Sequence, residues 1–67
     1  MLNLGKVDEQ VVALLKNSES PLTLIEIAEK LDKPTKTVFK ALQKLFSEGK
    51  ITCDISTRRY TLAKEQG

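Results

Sequence analysis

The chain has no histidine, no tryptophan, one cysteine, two prolines and three glycines among its 67 residues. Without histidine, imidazole zinc sites and His-dependent acid–base catalysis are excluded. The single cysteine, Cys53, has no partner for an intramolecular disulfide, so no covalent bridge supplements the core. No apolar run approaches the roughly 20 residues that cross a bilayer. The opening MLNLGKVDEQ lacks the basic stretch and apolar core of a signal peptide, which sets a cytoplasmic expectation with no membrane partner. There is no phosphate-cradling glycine loop, no nucleophile beside a recognisable base and no ligand set at metal spacing. The chain is therefore expected not to be an enzyme and to need no metal or cofactor.

What remains is a single domain, residues 1–67, near the lower size limit at which a core sustains itself. Its net charge of +2 hides an uneven distribution. Residues 1–32 carry three lysines against six acids, a net of −3, whereas residues 33–59 carry seven basic residues against Glu48 and Asp54, a net of +5. Such asymmetry points to a polyanionic partner; its bland counterpart is an ordinary solvated surface.

Val7, Val11, Leu14 and Leu15 repeat at helical spacing and predict a helix over about 6–17, with Asp8 and Glu9 in its first turn and Lys16 in its last. Ser18-Glu19-Ser20-Pro21 has turn composition. Thr23 and Glu26 form a capping-box pattern, and Leu24, Ile27, Ala28 and Leu31 continue it as a second helix over about 23–31. Asp32-Lys33-Pro34 breaks the chain for about three residues, which suits a steep helix crossing. A third helix is predicted over about 34–48, closed by Gly49. Val38, Leu42, Leu45 and Phe46 make its core face, and Lys36, Lys40, Gln43, Lys44 and Ser47 its polar face. Alternation then replaces the helical period: Ile51, Cys53 and Ile55 on one side, Thr52 and Asp54 on the other. Tyr60 and Leu62 follow a polar tip, Ser56-Thr57-Arg58-Arg59. This predicts a hairpin over about 50–62 and a frayed tail from Ala63.

The order helix, helix, tight turn, helix, β-hairpin closely resembles the winged helix-turn-helix superfamily of small prokaryotic transcription regulators. The resemblance is carried by EIAEKL (Glu26 to Leu31), TVFKALQKL (Thr37 to Leu45), GKI (Gly49 to Ile51) and RYTL (Arg59 to Leu62). It implies an α+β, mostly helical fold of three helices followed by a two-stranded wing. Asp32 stands where many relatives carry glycine, and Asp tolerates left-handed geometry better than most residues.

The resemblance also implies a DNA-binding protein, a transcription regulator of double-stranded DNA, nucleoid-associated if prokaryotic. Helix three would enter the major groove through Thr35, Lys36, Thr37, Lys40, Gln43 and Lys44, with Arg58 and Arg59 of the wing on the backbone. Glu48 is the single acid on that helix, where a merely solubilising face would mix signs. Phe39 is expected at the core edge, with contact to a thymine methyl or a protein as the other reading. Cys53 is expected to be buried, and Tyr60 to pack against the hairpin and helix three. The alternative function is a protein-docking winged helix that uses Phe39 or the acidic face of the first two helices. Left-handed duplex is disfavoured, because Phe39 and Gln43 stand where such binders present Asn and Tyr. A homodimer or a protein partner stays open; a dimer would use Leu2, Leu4 and the outer side of helix one.

Overall fold

In the computed structural model, which describes residues 6–63, three helices and three short strands follow in the order α1 (Val7–Asn17), β1 (Leu22–Thr23), α2 (Leu24–Leu31), α3 (Thr35–Ser47), β2 (Ile51–Asp54) and β3 (Arg59–Leu62). The expected use of Leu2 and Leu4 and most of the expected tail lie outside the described residues. Ala63 does not fray: its N–H donates to the Lys50 carbonyl at 3.0 Å and extends the hairpin ladder.

Each helix boundary has a chemical cause. At the start of α2 the Thr23 hydroxyl accepts from the Glu26 N–H at 3.2 Å, while the Glu26 carboxylate accepts from the Thr23 N–H at 2.9 Å, completing the capping box. At its end Asp32 adopts φ 57°, ψ 46°. The Lys33 N–H reaches the Ala28 carbonyl at 3.0 Å and the Asp32 N–H reaches Glu29 at 3.2 Å. These two bonds form a Schellman closure with Asp in the place glycine usually takes. Helix α3 closes in the same way around Gly49, at φ 78°, with Lys50 N–H on Leu45 and Gly49 N–H on Phe46. A left-handed residue thus ends both helices, and the three residues Asp32 to Pro34 suffice to turn the chain into α3.

The hairpin is part of a three-stranded antiparallel sheet in the order β1-β3-β2. Leu22 lies opposite Tyr60 and Thr23 opposite Arg59, so the two residues before α2 add a third strand to the expected two. A two-residue strand has no legible period, and its partner lies far along the chain. The strand passes into α2 without a loop, which fixes the start of that helix against the sheet.

The core comprises Val11 and Leu15 of α1, Leu22 of β1, Ile27 and Ala28 of α2, Val38, Ala41, Leu42 and Leu45 of α3, and Ile51 of β2. Val7, Leu14, Leu24, Leu31, Tyr60 and Leu62 pack around it. Helical and strand periodicity thus placed most of the core correctly.

Four expectations are corrected. Phe46, expected in the core, is 56% exposed, and Phe39, expected at its edge, is 42% exposed. Ile55, expected beside Ile51, is 87% exposed because β2 ends at Asp54 and Ile55 opens the hairpin loop. Cys53 is half-buried rather than buried. The common cause is size. Three helices and a small sheet enclose one layer of side chains, and that layer is filled by Val38, Leu42, Leu45 and Ile51.

Candidate nucleic-acid interface

Helix α3 is the only helix among those described whose first turn holds no acid, and no side chain caps it. Its N-cap is Pro34, whose carbonyl accepts from the Val38 N–H at 3.1 Å. The first-turn N–H groups therefore point outward with the positive end of the helix dipole behind them. Thr35, Lys36, Thr37, Lys40, Gln43 and Lys44 are all exposed on this helix. One helical turn separates Lys36 from Lys40, and a second separates Lys40 from Lys44.

The lysines differ in what they touch. Lys44 Nζ lies 3.6 Å from Asp8 Oδ2, tying α3 to the start of α1. Lys36 and Lys40 enter no ion pair among the described residues. Thr37, Lys40 and Lys44 line a shallow cleft with Lys6 and Asp8. Lys6 adds a cation that the sequence did not single out, because only the packing of α1 on α3 brings it there.

The two arginines separate as well. Arg58 sits in the exposed loop at φ 60°, a left-handed conformation unusual for a residue with a Cβ. The loop is held by Asp54, whose carboxylate accepts from the Ser56 hydroxyl at 2.8 Å and from its N–H at 3.1 Å. Those two bonds, in that order of weight, hold the Asp54 carboxyl below its ordinary range. Arg59, in contrast, is the first residue of β3 rather than part of the tip. Its Nη1 donates to Glu26 Oε1 at 3.2 Å and to the Pro21 carbonyl at 3.3 Å. The guanidinium is thus engaged along the β1–α2 junction. Glu26 is held below its usual range chiefly by the Thr23 N–H; burial opposes that shift, and Arg59 adds to it by less than burial takes away.

On the other side of α3, between that helix and the wing, Phe39, Gln43, Phe46, Ile55 and Tyr60 line an open apolar groove of about 270 Å³. Tyr60 lies opposite Cys53 on the neighbouring strand; burial, with Cys53 beside it, pushes the phenol above its ordinary range. The eight expected site residues are therefore not one surface: Thr37, Lys40 and Lys44 face the α1 cleft, and Gln43 and Arg58 lie toward the wing.

Three helices with a turn of three residues before α3, then a sheet in the order β1-β3-β2, define the architecture. The chain is a winged helix-turn-helix domain. A solved IclR transcriptional regulator from Alicyclobacillus acidocaldarius superposes with a TM-score of 0.80 and 32% sequence identity over 87% of this chain. The winged helix-turn-helix domain described here spans about a quarter of that regulator's length (24%). No family model and no curated protein matches the sequence. No helix of the described residues is long and apolar enough to cross a membrane.

Proposed function

We propose that this domain is the duplex-DNA reader of a transcription regulator, with α3 in the major groove and the wing on the adjacent backbone. The observation that carries the reading is the exposed row Lys36–Lys40, which pairs with no carboxylate among the described residues, on the helix whose N-terminus is open. The likeness to an IclR transcriptional regulator supports it.

In this reading Thr35 and Thr37 donate to phosphate at the positive end of α3, Lys36 and Lys40 reach phosphates or guanine acceptors, and Gln43 matches an adenine edge. Lys44 joins them on exchanging Asp8 for phosphate, and Arg58 contacts backbone from the wing. Arg59 serves mainly by fixing the wing against α2, a positioning role that its pairing with Glu26 supports. The acidic α1–α2 half orients the domain in the field of the duplex, basic side inward.

A gel shift on random duplex across a salt series tests this. The expected result is affinity that falls by about 0.9 log units per log unit of salt for each phosphate neutralised. No shift on any duplex at low salt would remove the reading.

A further inference from the structure

Ile25, Phe39, Phe46 and Ile55 are the large hydrophobic side chains exposed among the described residues, and they lie along one strip. Phe39 and Tyr60 line both the groove that holds Phe46 and Ile55 and the adjoining one that holds Ile25. Neither groove is lined by an acid. Arg58 lines the second; no lysine lines either groove, but Lys36 lies next to Gln43 around α3, and Lys40, one turn on, lies between that edge and the α1 cleft.

A paired duplex cannot use this strip well. Its bases are stacked on each other and present only their edges, and the surface flanking the groove edges is phosphate, which gains nothing from phenyl rings. The flat faces of unpaired bases are the chemistry that fits. Aromatic rings beside a row of cations are how proteins hold single strands, with the cations tracking the backbone and the rings taking the bases. Phe39 and Phe46 lie about 10 Å apart along the helix axis, so each ring can take a different base. Gln43, between them, offers both a donor and an acceptor to a base edge.

We infer that the groove between α3 and the wing is a binding site for a short stretch of single-stranded DNA, with bases stacked on Phe39 and Phe46. The inference shares the lysine row, Gln43 and Arg58 with the duplex reading, but the rings of Phe39 and Phe46 belong to it alone, so each can fail without the other.

The test is a titration of two labelled probes, a single-stranded 12-mer of thymidylate and a random duplex, followed by anisotropy at one salt concentration. The proteins are the wild type and the variant carrying both Phe39→Leu and Phe46→Leu, which keeps the apolar area and removes the rings. The one tyrosine in a chain without tryptophan, Tyr60, reports from within the groove. The expected outcome is single-strand binding that quenches Tyr60 emission, and a loss of about tenfold or more on that probe in the variant. Duplex affinity should fall much less than single-strand affinity, because the duplex reading assigns no contact to either ring. Absence of single-strand binding overturns the inference, as does equal weakening on both probes, which would assign the rings to the duplex. Sedimentation as a wild-type dimer that the variant abolishes overturns it too, by assigning the strip to a second copy.

Discussion

Arg59 Nη1 lies 3.2 Å from Glu26 Oε1, the same oxygen that accepts the Thr23 N–H at the start of α2. One carboxylate therefore caps a helix and holds the first residue of the central strand. Because Thr23 is also paired with Arg59 across β1 and β3, the junction between the helical layer and the wing is closed on itself.

A pH dependence follows. Glu26 has its pKa lowered from 4.5 on folding, so its contribution to stability is complete above that value and is lost as pH falls through the lower folded value. Urea melts of wild type and Glu26→Gln should differ at pH 7 and converge as the pH falls from 4.5 through the lower folded value. A gap that stays constant through acid would place the stabilising role elsewhere. Asp54 shifts in the same direction, but it is intact in both proteins and does not enter the difference.

Arg58→Gly separates stability from binding. The left-handed conformation at Arg58 costs a residue with a Cβ about 1 kcal/mol, which glycine relieves and its own unfolded-state entropy partly offsets. The melting temperature should hold or rise slightly. The salt slope for duplex should become shallower by about 0.9, one phosphate contact. A clear loss of stability would contradict the loop geometry.

Asp8→Asn should strengthen duplex binding. It removes the carboxylate held 3.6 Å from Lys44 and breaks a pair whose lysine is exposed and whose aspartate is partly buried, worth about 1 kcal/mol of stability. Anisotropy titrations should show tighter binding with a steeper salt slope. Unchanged affinity would mean that Lys44 makes no contact.

The two sides of α3 should respond differently to truncation. Leu42→Ala, at a fully buried position, should cost about 2–5 kcal/mol, much of what a domain this small has. Phe46→Ala should cost under about 1 kcal/mol, because more than half of its surface is already exposed. Denaturant melts rank them, and a Phe46 effect as large as that of Leu42 would return Phe46 to the core.

Most of the architecture was legible because it is written in local patterns. The capping box at Thr23 and Glu26, the left-handed stop at Asp32, the break before Thr35 and the alternation from Ile51 each depend on neighbours within a few positions. What the sequence did not carry is long-range. Leu22–Thr23 becomes a strand only because Tyr60 and Arg59 lie opposite it, and Arg59 leaves the wing tip because Glu26 is there to receive it. Phe46 sits within the arc of the core face, and only the position of the sheet decides which residues of that arc are covered. The same limit hid Lys6, which α1 brings beside Lys40 and Lys44.

The central claim is that the unpaired lysine row on α3 meets the duplex. The direct measurement is the salt dependence of duplex affinity for wild type against the Lys36→Ala/Lys40→Ala double variant, with melting curves to confirm that both are folded. Both lysines are exposed and outside any ion pair among the described residues, so stability should change by less than about 0.5 kcal/mol. The account predicts weaker binding and a log–log slope shallower by about 1.8, two phosphates' worth. A folded double variant with the wild-type affinity and slope would contradict it.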